Sequence, residues 1–262
     1  MTTESAASKP IRTAEQAPLA DEARYRPVYA AGDWSPTLTA IWQECYGADL
    51  PDGLEPLGFS SAGELGSLRR WLDVGPGDRI VDVGCGRGGP GLWIARQAEV
   101  DLVGVDLLPE AVAAAQNRAP TLYPGGAATF VVGDFLDTGL PAGSFQGAVS
   151  IDSLWMVLDK ATAMREVARL LEPGARWVLS TWEPSYLSYA TLLTAAGWEV
   201  LTCREPAGWY ERQTAVYDRI IDAEPALVAE LGAEAAQVLV SEARTMTPTL
   251  RDYRRLLIAA RR

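Results

Sequence analysis

IVDVGCGRGGPGLWIARQ, residues 80–97, is the stretch on which the reading of the whole chain turns. Ile80, Val81 and Val83 surround Asp82 in the manner of a buried parallel strand, where nearly every position is apolar. Glycines at 84, 86 and 88 follow, and 92–97 continues as a helix. A turn of this kind needs positive φ and lets the backbone come close to a ligand. The first N–H groups of the next helix then face that ligand without partners in their own helix. Many nucleotide-binding folds share a glycine-spaced turn, so the acids around it carry the discrimination.

One acid, Asp82, precedes the first glycine. A second, Asp106, closes the next apolar run, VDLVGV at 100–105, and lies 20 residues beyond Gly86, about the ~20-residue spacing at which a strand-end carboxylate meets a ribose diol. Gly133-Asp134-Phe135 and Leu171-Glu172-Pro173-Gly174-Ala175 follow in order. Together these segments resemble the motifs of class I S-adenosylmethionine-dependent methyltransferases, in particular the ubiquinone/menaquinone-like and natural-product branch acting on small molecules. The resemblance runs from about residue 65 to 203. It implies a doubly wound α/β fold, a seven-stranded and mostly parallel sheet whose last strand is antiparallel and inserted between strands five and six.

With 262 residues, 48% hydrophobic and 22% charged, the chain has the composition of a globular protein large enough for a full core. The formal net charge of −11 repels phosphate backbones and anionic membranes, so nucleic acid and membrane partners are not expected. Cys45, Cys85 and Cys203 are too scattered for a disulfide framework or a zinc cluster. No 18-residue apolar run and no hydrophobic signal core is present, which gives the expectation of a cytoplasmic protein. The chain has no histidine. This removes a histidine base, a Ser-His-Asp triad and histidine-ligated metal, and no metal site is expected.

Residues 1–26 are aperiodic and rich in small, polar and proline residues, an expected disordered lead. The 27–60 stretch reads as an N-terminal lid. It contains a helix at 36–46, with Ser35 as cap and Pro36 in the first turn, and Trp34, Trp42, Tyr46 and Phe59 as wall or packing residues. A helix at 61–73 ends at Gly75-Pro76-Gly77. Strands then alternate with helices: strands at 80–83, 100–105, 128–132, 145–151, 176–181 and 198–202, helices at 109–118, 160–171 and 186–196. That alternation argues for a parallel sheet covered on both faces. Residues 208–247 break it with helices near 213–222, 225–231 and 234–244, an expected cap, and 253–260 is the final strand. Residues 171–175 are expected as the turn before strand five.

Ligands of open parallel sheets bind beyond the carboxyl ends of the strands. The expected cofactor contacts are Asp82, Gly84, Cys85, Gly86, Gly88, Asp106, Leu107, Asp134, Phe135 and Ile151. Asp82 holds the turn or reaches the cofactor's amino group, Asp106 takes both ribose hydroxyls, and Asp134 with Phe135 holds the adenine. Taken singly, each acid is equally a helix cap or a solvated loop residue.

In-line transfer from a sulfonium mostly needs orientation and dryness. The carboxylates available as bases are Glu183, after strand five, and Asp152, after strand four, which also suits cofactor binding or capping. Amino-methyltransferases of DNA and protein glutamine carry a proline-containing signature here. Asp152-Ser153-Leu154-Trp155 lacks those prolines, which argues against such substrates. Trp155, Met156, Trp182, Trp209 and Tyr210 are the candidate substrate wall, or else cap core. The expected function is methyl transfer from S-adenosylmethionine, leaving S-adenosylhomocysteine, to a small organic molecule of secondary metabolism. The alternatives are a cyclisation or decarboxylation using the same fold and cofactor, and a non-catalytic binding module. A homodimer is compatible with all three.

Overall fold

The structure, a computed structural model, describes residues 22–31, 35–54 and 57–262. Most of the expected lead, and Trp34, lie outside the described residues. Within the described part of that stretch, Glu22–Tyr25 is a 3-10 helix running into α1, Arg26–Ala30. In α2, Pro36–Tyr46, the Ser35 hydroxyl accepts from the Leu38 N–H and Pro36 occupies the first turn, where its missing N–H costs nothing. Ser61 caps α3, Ala62–Leu72, in the same way.

The sheet begins with β1, Arg79–Val83, and continues through α4, Gly89–Ala98, β2, Asp101–Asp106, and α5, Pro109–Leu122. It goes on with β3, Ala128–Val132, β4, Phe145–Ile151, α6, Lys160–Leu170, and β5, Leu171–Pro184. After α7, Tyr189–Ala195, comes β6, Glu199–Arg204. Three helices separate β6 from the last strand: α8, Trp209–Asp222, α9, Glu224–Leu231, and α10, Ala233–Met246. β7, Tyr253–Arg261, then enters antiparallel between β5 and β6. The strand order is β3-β2-β1-β4-β5-β7-β6, the doubly wound α/β arrangement implied by the sequence. No helix among the described residues is long and apolar enough to cross a membrane.

β1 shows why its sequence is so apolar. Val81 and Val83 pack with β2 residues and with α6 and α7 on one face, while Ile80 packs with α3, α4 and α5 on the other. Both faces are covered, so no position can be polar without a special reason. Asp82 is that exception. A third core joins the two additions to the sheet: Val28, Leu38 and Trp42 pack with Val216, Leu239 and Val240. The N-terminal segment and the α8–α10 block therefore form one layer over the strand ends, because neither is large enough to bury its own apolar face.

The expected turn at 171–175 is corrected by the structure. Leu171 already pairs with Phe145, Arg176 pairs with Gly147, and the residues between them form an irregularity inside β5. Gly174 sits at φ +83 and its N–H reaches the Arg262 carbonyl at 3.3 Å, so the chain end holds this segment in the sheet.

Arg255 of β7 is fully buried. Its guanidinium meets Asp152 at 2.8 Å, Glu64 of α3 at 3.3 Å and the Ser60 hydroxyl at 2.9 Å, and lies 4.7 Å from the Trp182 ring centre. Glu64 also receives Arg212 of α8 at 3.0 Å. Arg255→Ala would leave two buried carboxylates short of a cation, and is expected to cost about 3–5 kcal/mol. Urea unfolding measures this, with Arg261→Ala, whose pair with Glu199 is exposed, expected to stay near the wild-type midpoint.

Candidate active site

The carboxyl ends of β1, β2 and β4 meet beneath the helical layer and open into one cavity. The turn after β1 is pinned to β2, with the Gly84 and Cys85 N–H groups donating to the Val105 carbonyl at 2.8 and 3.0 Å. Gly84 sits at φ +77, and a Cβ there would fall 2.5 Å from that of Ser153. Gly86 sits at φ +52, with the Tyr29 hydroxyl 3.3 Å from where its Cβ would be. The turn is thus pressed between the end of β4 and helix α1, and only glycine satisfies both the dihedral and the space.

Asp106 accepts from the Gly86 N–H at 2.8 Å and the Leu108 N–H at 3.0 Å. Burial pushes its carboxyl up, and these N–H groups pull it back down. Each oxygen keeps a further lone pair for a ligand hydroxyl. Asp82 is in a harsher setting. It is 2% exposed, its Oδ1 has no hydrogen-bond partner among the described residues, and a Cβ on Gly91 of α4 would collide with its Oδ2. Burial, and next the Asp106 carboxylate, push its pKa up to about 8. A buried carboxylate with a bare oxygen, beside a second carboxylate, fits a cationic ligand. Burial and the same two acids push the Cys85 thiol well up, so Cys85 is a small neutral wall.

Of the expected cofactor contacts, Asp82, Gly84, Cys85 and Gly86 line the cavity, as do Asp106, Leu107, Phe135 and Ile151. Gly88 and Asp134 do not. Gly88 caps α4 in a left-handed conformation, where a Cβ would stand 3.0 Å from Phe130, so its requirement is helix-to-strand packing. Asp134 is exposed, and its Oδ1 accepts from the Leu136 N–H at 2.8 Å. It is a loop acid in this structure.

The two expected bases also part company. Glu183 is outside the cavity lining: it accepts from the Tyr189 N–H at 2.6 Å, capping the start of α7, and pairs with Arg254. Asp152 lines the cavity but is committed to Arg255, to the Ser180 hydroxyl at 2.5 Å and to the Phe59 N–H at 3.1 Å. It anchors the segment that carries Phe59. Trp155, Met156 and Trp182 line the cavity, with the Trp155 and Trp182 rings edge to face at 5.7 Å. Trp209 and Tyr210 do not. Their rings meet edge to face, Trp209 donating to Glu205 at 2.6 Å and Tyr210 accepting from Arg251 at 2.8 Å. Trp209 is buried in the core of the helical layer and Tyr210 packs against it, the cap-core alternative of the sequence reading.

The sequence reading missed the cavity's ceiling. Tyr25 and Tyr29 come from the N-terminal segment, Gln213 and Tyr217 from α8, and Glu242 from α10. Glu242 had a visible signal: it falls on the helix face of Leu239, Ala243 and Met246, where a charge is out of place.

Residues 80–174 match the methyltransferase domain family. Over 109 residues the chain is 33% identical to an O-methyltransferase, cnsE, of Penicillium expansum, covering 42% of this chain and 40% of that protein. The chain spans less than half the length of the first curated relatives it matches. Among solved structures, the [4+2]-cyclase SpnF superposes with a TM-score of 0.72 at 18% identity, covering 97% of both chains. Phosphoethanolamine N-methyltransferase 2 of Haemonchus contortus, in complex with phosphomonomethylethanolamine and S-adenosylhomocysteine, gives 0.64 at 18% identity over 91% of this chain and 60% of that one. At these identities the two structures establish the fold.

Two measurements test the carboxylate pair. Asp106→Ala is expected to weaken binding of S-adenosylhomocysteine by about 1.5–3 kcal/mol, the scale of a charged hydrogen-bonding group, read by calorimetry. For Asp82 the sign follows from its raised value. In the ligand-free protein, the protonated carboxyl stabilises the fold below the unfolded value of about 3.9, and that contribution is lost as pH rises through about 8. Asp82→Asn should therefore melt above the wild type at pH 8, by a margin that shrinks toward pH 4. Affinity of the wild type for S-adenosylmethionine should fall as pH drops below about 8, because a cation binds the ionised carboxylate.

Proposed function

We propose that this chain, a class I S-adenosylmethionine-dependent methyltransferase through residues 80–174, moves a methyl group to a small organic acceptor of the natural-product type. The observation that carries the reading is the bare, buried Asp82 oxygen beside Asp106, on a turn with no room for side chains. The cofactor supplies a methyl group on a cationic sulfur. Asp82 would hold its cationic amino group and Asp106 its ribose hydroxyls, with Phe135, Ile151 and Leu107 as the apolar lining available to its purine.

The remaining work of the protein is orientation and exclusion of water. Phe59, Trp155, Trp182 and Tyr217 surround the acceptor half with rings 5.3–5.7 Å apart in edge-on contacts. Holding an acceptor against the methyl carbon in such a space supplies up to ~7–11 kcal/mol of the barrier. The aromatic walls suit an apolar, ring-bearing acceptor, and the similarity to an O-methyltransferase supports a molecule of that class.

A second reading has one observation in its favour, the end-to-end superposition on the [4+2]-cyclase: the same cavity would fold a polyene while the cofactor stays intact. The two separate cleanly. With methyl-labelled S-adenosylmethionine and a panel of phenols, amines and activated methylene compounds, the expected outcome is label in the acceptor and one S-adenosylhomocysteine per product. Rearranged, unlabelled product with no S-adenosylhomocysteine would establish the cyclase reading instead.

A further inference from the structure

The cavity's upper end holds a continuous run of hydrogen bonds between side chains from β5, α8, α10 and the N-terminal 3-10 helix. Trp182 Nε1 donates to Gln213 Oε1 at 3.0 Å, and Gln213 Nε2 donates to the Tyr217 hydroxyl at 3.0 Å. The Tyr217 hydroxyl donates to Glu242 Oε1 at 3.0 Å, and the Tyr25 hydroxyl donates to Glu242 Oε2. Trp182, Gln213, Tyr217, Tyr25 and Glu242 all line the cavity. The run ends on a carboxylate that only accepts, so every donor in it is oriented toward Glu242.

Four carboxylates line the cavity among the described residues: Asp82, Asp106, Asp152 and Glu242. The first two sit at the strand ends and fit the cationic donor, and Asp152 is held by the Arg255 guanidinium. Glu242 comes instead from α10, in the helical layer over the strand ends. Tyr29, whose hydroxyl stands over Gly86, lies near both Asp106 and Glu242. The groups facing Glu242 are Arg24 and Tyr25 from the 3-10 helix, Tyr29 from α1, and Gln213 and Tyr217 from α8.

We propose that Glu242 is the catalytic base of this methyltransferase and that its acceptor is an apolar molecule bearing a phenolic hydroxyl. The assignment rests on the methyl-transfer reading above. Glu242 accepts the acceptor's O–H proton on a remaining lone pair as the oxygen forms its bond to the methyl carbon. The methyl–sulfur bond breaks, its electron pair stays on sulfur, and the proton leaves Glu242 for solvent after product release. Tyr25 and Tyr217 hold the carboxylate in place. Burial raises the Glu242 carboxyl above its ordinary value while the two tyrosine hydroxyls draw it down, which sets it closer to working pH than a solvated glutamate.

The experiment compares wild type, Glu242→Gln and Tyr217→Phe on three probes with methyl-labelled S-adenosylmethionine: 2-naphthol, thiophenol, which is already a thiolate at neutral pH, and 2-naphthylamine. Affinity for S-adenosylhomocysteine is measured alongside and should be near wild type in both variants, and urea unfolding confirms that both are folded at the assay temperature, with a midpoint lowered by the broken run of hydrogen bonds. The expected result is wild-type label on 2-naphthol, a loss of about 10²-fold or more in kcat with Glu242→Gln, and thiophenol turnover kept within about threefold. The acid limb of the wild-type 2-naphthol pH profile should vanish in Glu242→Gln and persist in Tyr217→Phe. Equal losses on 2-naphthol and thiophenol, an unchanged 2-naphthol rate, or label on 2-naphthylamine alone would overturn the assignment while leaving methyl transfer intact. Label on none of the three, with S-adenosylhomocysteine still bound, would remove both the assignment and the reading beneath it.

Discussion

The buried guanidinium of Arg255 is the constraint through which the separate parts of this protein reach one another. It sits in β7, yet its partners are Glu64 at the start of α3, Ser60 before it, and Asp152 just past the end of β4. A charge at 0% exposure persists only when several acceptors face it at once. Its presence therefore demands that the lid segment, the sheet centre and α8, through Arg212 and Glu64, all be docked. Asp152 is spent on this task. Its φ of +57, unusual for a residue with a side chain, aims the carboxylate at Arg255 and brings the Phe59 N–H onto the same group. The segment carrying Phe59 is thus tied to the end of β4 by the residue that the sequence offered as a base.

The charges of the cavity then divide by whether they are neutralised inside the protein. Glu64 and Asp152 face Arg255 and Arg212, and the group closes on itself. Asp82 and Asp106 have backbone N–H groups or nothing. The first set builds the scaffold, and the second is left for a ligand to complete. That difference costs stability in the empty protein, since a carboxyl pushed up to about 8 is ionised only at a penalty. A positively charged ligand between the two acids removes it.

The half of the site that could be read from the sequence is the half made by backbone. Gly84, Gly86 and Asp106 announce themselves because a tight turn and a strand end impose residue type and spacing, whatever the surroundings. The place of β7 between β5 and β6 was implied by the family resemblance that these motifs carry, and the ends of β3 and β4 fall where the apolar pattern stops. The acceptor half draws side chains from residues 25–59, β5, α8 and α10, which meet only in three dimensions. Trp155 and Trp182 were legible by position after their strands, but Trp209 and Tyr210, of the same composition, pack into the core of the helical layer instead of lining the cavity. Glu183 shows why a strand-end acid is ambiguous: the α7 N–H groups lie as close to it as any ligand could, and Arg254 completes its shell. The Leu171–Ala175 segment looked like a turn because Pro-Gly normally is one, and the chain terminus paired it into the sheet.

The absence of histidine gives the cavity's layout its logic. With no imidazole, the acidic side chains of the cavity lining are carboxylates, tyrosines and Cys85, and a solvated carboxylate is a weak base near neutral pH. Burial is the lever that remains. It acts on Asp82 at the end of β1 and on Glu242 of α10, raising both carboxyls. Among the described residues Asp82 Oδ1 has no donor to offset it, whereas the Tyr25 and Tyr217 hydroxyls draw Glu242 back.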